Sequence, residues 1–411
     1  MTDEFSAALR RLMTERGMSL RELARRAHYD PGYLSKVASG RKPVTPKVAA
    51  AADAALSAGG ELAALARARR RPRGSPDTGR RSVLAGGVLA GGVLAGGMLS
   101  IGPEAGDRLA WAARNPPRVD AAAVDVLAGV LAAQRRAEDV LGSAALLKPV
   151  TAQLGAVEDL AAEARGPVRP AVVGIAQQWT QFAAWLHQSV RDIPAARALW
   201  RQTMELAAEA GDATMTATVL RFRGEMAWLA GKPGPMIGLA EAAQRDRRAA
   251  VSQRAFSAAL EARGHAMTGD AQAAERKLGE AAELGGQLGA EPAEPWSYWY
   301  SPGWLECQRG IALGYLAHIE RYRTQAIEAM ASAETCDSAA ELTAGYVVHR
   351  AAIHARGGDP GEACADWVKA AAVARRMDSA RLGAMLAGLH ADLEARYPDD
   401  PRVAELAEAL R

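Results

Sequence analysis

One register recurs along the C-terminal part of this chain and leaves few folds open. Asp192, Lys232, Asp270, Tyr322 and Asp359 each read as an inter-helix turn, and eight positions before them stand Ala184, Gly224, Ala262, Gly314 and Ala351. Four positions after come Ala196, Met236, Ala274, Ala326 and Ala363. Trp200, Ala240, Leu278, Met330 and Trp367 follow at eight, then Thr203, Ala243, Ala281, Ala333 and Ala370 at eleven. Small residues at facing positions let two antiparallel helices approach, and the larger residue one turn later plugs the space against the next pair. The units lie 40, 38, 52 and 37 residues apart, so each is a helical hairpin that buries its core by stacking. Alanine dominates the 411 residues, and no stretch alternates convincingly between apolar and β-branched positions. The fold class expected is all-α.

A different pattern governs residues 1–66. Phe5, Leu9 and Leu12/Met13 repeat at helical spacing up to Gly17. Ser19-Leu20-Arg21-Glu22 reads as a capping box, in which the Ser19 hydroxyl caps a backbone N–H and Glu22 reaches back to the Ser19 amide. A second helix buries Leu20, Leu23 and Ala24. Asp30-Pro31 starts a third, with Leu34 and Val37 inward and Gly40 at its end. Thr45-Pro46 starts a fourth helix to about Leu56, and Gly59-Gly60 precedes a fifth to about Arg67.

Charge is divided unevenly. Residues 1–81 carry 17 Lys/Arg against 8 Asp/Glu, while the remainder carries 33 against 39. A basic head on an acidic body fits a head that meets a polyanion.

The string MSLRELARRAHYDPGYLSKVASGRKPVTPKVA resembles the Cro/Xre-type helix-turn-helix family across residues 5–66. That resemblance implies a five-helix lambda-repressor-like domain bound to double-stranded DNA, with the helix from Pro31 to Ser39 in the major groove. It places Gly32, Tyr33 and Lys36 at base edges, Ser35 beside them, Arg21 on phosphate, and Arg41 and Lys42 on the backbone after the recognition helix. Phosphate contacts give affinity and orientation, and base contacts give specificity. For Tyr33 the competing role is packing; for Arg21, Arg41 and Lys42 it is a solvated face. The family often pairs a glutamate near the end of the recognition helix with an arginine on the first helix. Here those positions hold Ala38 and Met13, and replacing both partners of a buried pair need not damage a fold.

Residues 67–118 read as a connector. Seven arginines and one acidic residue occupy 67–81, broken by Pro72, Gly74 and Pro76, which suits a flexible basic linker. From Ser82 to Pro103 come 22 residues without a charge, built on three VLAGG repeats. That length can cross a ~30 Å hydrocarbon core. The arginines before it would keep the head in the cytoplasm, but glycine costs each helix position up to ~1 kcal/mol relative to alanine. A soluble apolar segment is the expectation, with a membrane-anchored regulator as the rival.

The body, 119–411, resembles the tetratricopeptide repeat in its small, small, large, small register, and implies a tetratricopeptide-like α-solenoid. It departs from that family in lacking the early aromatic and the closing proline, and in its longer units. Helices at about 119–142, 149–165, 379–396 and 401–410 would add repeats or caps. By the resemblance, the first helices line a groove for a peptide or protein ligand: Gln178, Gln181, Trp185 and Gln188, then Arg221, Glu225 and Trp228, then Arg263, Gln308, Tyr315 and His318. For any one of these, inter-helix packing or plain exposure is the competing role. His187, His265 and His354 recur three residues after the small position, for which semi-buried packing is expected over a metal- or pH-responsive row. PAEPWSYWYSPGW, with Trp296, Tyr298, Trp299, Tyr300 and Trp304, fills the longest interval and is expected to pack over the solenoid rather than form a lid.

Cys307, Cys336 and Cys364 form no CxxC pair, so neither a zinc site nor a disulfide framework is expected, and a reducing cytoplasm fits. No phosphate-binding loop, nucleophile elbow or metal-ligand spacing occurs; no enzyme and no cofactor is expected. The expectation is a dimeric transcriptional regulator in which a ligand alters how two heads meet half-sites one helical turn apart. Its rival from another class is an interaction scaffold recruited to DNA without a small ligand.

Overall fold

The computed structural model describes residues 4–38, 46–56, 58, 62, 103–290, 292–331 and 340–409. These form two units, Met1–Gly79 and Arg80–Arg411. All described elements are helical, as expected of an all-α chain. Gly40, Arg41, Lys42, the linker 67–81, the VLAGG repeats, Ala333 and Cys336 lie outside the described residues, as does the fifth helix of the head apart from Leu62. Among the described residues no helix is long and apolar enough to cross a membrane.

In the first unit α1 (Glu4–Glu15), α2 (Leu20–Arg26), α3 (Pro31–Ala38) and α4 (Pro46–Ala55) surround one core. Leu9, Leu12, Leu23, Leu34, Val37, Leu56 and Leu62 are almost wholly buried there. Each such side chain contributes about 1.5–3 kcal/mol of transfer free energy. Ala38 joins that core and Met13 packs against it, so apolar contact stands where the resembled family sets its ion pair. The N-termini follow the sequence signals: Ser19 Oγ accepts the Glu22 N–H at 3.2 Å, and Asp30 Oδ1 accepts the Tyr33 N–H at 2.8 Å. The second arm of the expected capping box is not made. Glu22 instead accepts hydrogen bonds from Arg25 and Arg26 on its own helix, because a charged guanidinium outcompetes a backbone amide for a solvent-side carboxylate. Buried Asp53, which the sequence did not single out, accepts the Leu62 N–H at 2.8 Å and fastens the chain after α4.

The second unit begins earlier than position 119. Its helix α5 (Pro103–Arg114) buries Leu109, Ala112 and Ala113 in the same cluster as α6 (Ala121–Leu141) and α7 (Ser143–Glu163). The end of the expected connector is therefore part of the body's core. α7 also starts before the expected 149 and carries Pro149 inside, which removes one intrahelical N–H without ending the helix.

Five hairpins follow: α8 (Arg169–Ser189) with α9 (Ile193–Ala210), α10 (Ala213–Leu229) with α11 (Pro233–Gln244), α12 (Val251–Met267) with α13 (Ala271–Gly285), α14 (Pro302–Gly314) with α15 (Glu320–Met330), and α16 (Ala340–Arg356) with α17 (Pro360–Arg376). α18 (Ala380–Arg396) and α19 (Pro401–Ala409) close the array. Asp192, Asp270 and Asp359 are N-caps of the second helices, each accepting the N–H three residues on. Lys232 takes the same N-cap position without a side-chain bond. Tyr322 does not: it lies inside α15, fully buried, because Glu320 rather than Tyr322 begins that helix.

The register residues sit where close approach demands them. A Cβ on Gly224 would stand 2.9 Å from Leu260 Cδ2, and one on Gly314 2.8 Å from Ile353 Cγ1. Trp200, Met330 and Trp367 are buried completely. The first helices stack on one another, α10 on α12, α12 on α14, α14 on α16 and α16 on α18, and α6 meets α16. Gly142, in the turn after α6 with φ +84°, lies against the Met377 carbonyl, 3.0 Å from where a Cβ would stand. The superhelix thus returns on itself within this unit.

Candidate functional site

The head offers a helix with two unlike faces. Leu34, Val37 and Ala38 of α3 point into the core, while Pro31, Gly32, Ser35 and Lys36 are exposed. Helix periodicity alone produces this division, since two apolar anchors three residues apart turn the intervening positions outward. Tyr33 stands between the faces: half-buried, its ring stacks on Tyr29 with centroids 5.9 Å apart. Its ring thus packs on a neighbour while the residue stays partly exposed. Arg21 is exposed at the start of α2. The α2–α3 turn needs His28 at φ +55°, a conformation that few side chains adopt without cost. Arg25 and Arg26 are exposed as well, and their hydrogen bonds hold the Glu22 carboxyl down at about 2.

The body holds a partly open cavity of about 160 Å³. Its helical lining comes from the first helices, α6, α8, α10, α12, α14, α16 and α18, with the aromatic insertion completing it. For scale, an apolar cavity of roughly 150 Å³ admits benzene. Of the residues expected along the groove, Gln181, Trp185, Gln188, Arg221, Glu225, Trp228, Arg263 and Gln308 line this cavity. Gln178 lies behind the wall and accepts from Arg135, and Tyr315 accepts the Trp228 Nε1–H at 2.6 Å. His318 does not belong: it is exposed after α14, whose helix ends at Gly314, so helical spacing no longer carries its side chain inward.

Three arginines in the lining are buried, at 4 % exposure for Arg135, 1 % for Arg221 and 3 % for Arg263. Arg135 donates to the Gln178 carbonyl and Gln181 Oε1, both at 3.3 Å. Arg221 pairs with Glu225 at 2.6 Å and lies over the Phe222 ring at 3.9 Å. Arg263 donates to Gln308 and stacks on Trp228 at 4.4 Å. Planar guanidinium groups suit such stacked sites because they are weakly hydrated. Burial nonetheless lowers the Arg135 pKa to about 10 and pulls Arg263 down as well.

Carboxylates respond in the opposite direction. Glu138 is pushed up to about 7 by burial, against the hydrogen bonds it accepts from Ser143 and Trp185. His349 is driven down to about 3 by burial and by the cations Arg263, Arg356 and Arg381, so its ring is neutral.

The insertion packs and also forms a wall. Tyr300 and Trp304 stack against Phe256, as expected of a packing element, and Trp296 donates to Thr218 at 3.2 Å. Tyr298 reaches across to α6, donating to Asp139 at 2.7 Å with its ring 3.9 Å from Arg136. Packing and covering are thus one arrangement. His187 and His265 contact the carboxylates of Asp192 and Glu261 on their own hairpins. Among the described residues no group of three or more His, Cys, Asp or Glu side chains could hold a metal ion.

Sequence reasoning missed Arg135, Glu138, Tyr346, His349 and Arg381 in the lining. A signal existed on α6: Leu127, Leu131, Arg135 and Glu138 share one face, so two charged groups continue an apolar stripe. Such a stripe predicts either a buried charge or an early helix end.

Residues 4–66 match the model of a family described as a helix-turn-helix domain. The chain therefore carries a helix-turn-helix DNA-binding domain at its head. The match stops before the body, and neither a curated protein nor a solved structure matches this chain.

Proposed function

We propose that this protein is a sequence-specific transcriptional regulator of the Cro/Xre type, whose tetratricopeptide-like body senses a peptide or other ligand and controls a pair of heads. The carrying observation is α3: a helix within a helix-turn-helix domain, anchored by Leu34 and Val37, with Gly32, Ser35 and Lys36 outward. In this scheme residues 1–66 bind duplex, 67–118 connect, and 119–411 with the added α5 sense. Arg21 grips phosphate, Lys36 reads a base edge, Gly32, Ser35 and the exposed part of Tyr33 lie along the groove, and Arg41 and Lys42 extend the phosphate contacts. Regulation works through a homodimer in the cytoplasm, without a cofactor or catalysis, and the ligand shifts half-site spacing.

Equilibrium binding to genomically selected duplex tests it. Affinity should fall steeply with salt. Arg21→Ala should weaken all sequences alike and reduce the salt slope by about 1, while Lys36→Ala should cost about 1–3 kcal/mol and relax specificity at one position. Wild-type affinity in both variants would remove the assignment.

A further inference from the structure

The cavity's charges do not cancel locally. Arg221 and Arg263 belong to stacked helices, α10 and α12, and the Arg221 cation adds to the burial that lowers the proton affinity of Arg263. Arg221 has one carboxylate, Glu225, but its Nη2 is buried without a hydrogen-bond partner among the described residues. Arg263 has an amide partner, Gln308, and its buried Nε also lacks one. Arg381 is already paired with Glu341. Two desolvated, mutually repelling guanidinium groups facing one cavity favour an anion there, because Coulomb attraction strengthens as water is excluded. Burial, together with the cations Arg263, Arg356 and Arg381, keeps His349 neutral, so the positive field of Arg263 reaches the α16 side of the space.

The remaining walls limit what kind of anion fits. Trp185, Phe222, Trp228, Trp299 and Trp304 present aromatic surface, while Asp139, Glu225 and Glu341, joined by Glu138 when it is ionised, offset the charge of the four lining arginines. A doubly charged phosphate would oppose those carboxylates. A single planar carboxylate matches the forked N–H donors of arginine and leaves an apolar body for the rings.

We infer that the body's ligand is an apolar or aromatic molecule bearing one carboxylate, which lies between Arg221 and Arg263 with its hydrocarbon part against Trp228 and Trp185. This rests on the proposed sensing role and names the ligand class for that site. Both a small aryl acid and the free C-terminus of a short hydrophobic peptide carry this chemistry.

Thermal unfolding of the full-length chain tests it with two probes, indole-3-acetate and N-acetyl-Ala-Ala-Trp, each beside its uncharged amide. At a hundredfold excess over Kd the acid that fits should raise Tm by roughly 3–6 °C. Its amide should bind at least about tenfold more weakly, as loss of a charge-assisted contact implies. Tryptophan emission gives a second readout, since Trp185, Trp228 and Trp304 line the space. Which acid is preferred separates the two sources. Arg263→Gln should abolish the acid–amide difference, and Arg263→Lys should retain part of it; the comparison on the wild type stands even if these variants fold poorly. Equal effects of acid and amide, or no effect of either acid, would overturn the inference. Wild-type duplex affinity in both head variants would remove the regulatory assignment and leave the acid–amide difference intact, so the two ideas fail separately.

Discussion

In the head, Arg21, Arg25 and Arg26 stand in solvent above a core of leucine, valine and alanine; in the body, Arg135, Arg221 and Arg263 are buried among aromatic rings and amides. The same side chain thus works in two dielectric regimes. Exposed cations attract a polyanion over a Debye length of about 8–10 Å, with little selectivity and strong dependence on salt. Buried cations lose hydration worth several kcal/mol each, regained only through well-placed partners. They act over short range and favour an anion of the right shape. In the function proposed above, the contrast gives a head that holds any duplex weakly before it reads sequence, and a body that takes one anion of matching shape.

Substitutions in the cores challenge that contrast most severely. Trp367, wholly buried between α17 and α18, should cost about 3–5 kcal/mol on change to alanine. The loss should appear in the body's unfolding transition and leave duplex affinity at low temperature unchanged. Leu34→Ala should cost about 2–5 kcal/mol and do the reverse, lowering DNA binding while the body's transition stays in place. If calorimetry shows both variants shifting one common transition, the units do not own separate cores.

A smaller effect sharpens the electrostatic side. Glu138 binds its proton more tightly folded, at about 7 against an ordinary 4.5, so the native state holds the extra proton between these values. Body stability should therefore fall as pH rises from about 4.5 to 7 and level off above. Glu138→Gln should remove that slope and, by linkage discounted for partial exposure, gain about 1–3 kcal/mol at pH 8. Tm measured across pH decides; a variant with the wild-type slope contradicts it.

The smallest change belongs to the head. Glu22 has its pKa lowered to about 2 by Arg25 and Arg26, yet all three lie at the surface. The pairing is stabilising above about 4.5 and fades as pH drops toward 2, but solvent screening makes it slight. Glu22→Gln should leave Tm nearly unchanged while tightening duplex binding at low salt, because one negative charge leaves the basic face. A large stability loss would mean that the head, too, depends on enclosed charge.

Much of both units was legible in the chain itself. Asp30-Pro31, Ser19 and the caps at Asp192, Asp270 and Asp359 announce helix starts through local hydrogen bonding, which needs no tertiary partner. The small and large positions at Gly224, Trp200 and Trp367 announce hairpins because packing repeats with the helix period. Legibility failed where a residue could serve two settings. Tyr322 reads as a turn residue or a buried ring, and Glu22 as a capping partner or a salt-bridge acceptor. Leu109, Ala112 and Ala113 sit behind an apolar, glycine-rich stretch that masks the start of α5.

What the amino-acid order determined, then, is the inventory: helices, their inward faces, the helix-turn-helix head and the hairpin register, all consequences of interactions between residues a few positions apart. Only the tertiary structure decided that the first helices would curve until α6 met α16, and that Arg135, Arg221, Arg263, Trp296, Tyr298, Trp299 and Trp304 would line one cavity. Superhelical curvature sums small rotations from every hairpin interface, including the Gly224–Leu260 and Gly314–Ile353 contacts. Periodicity marks which faces touch but carries no measure of the angle at which they settle.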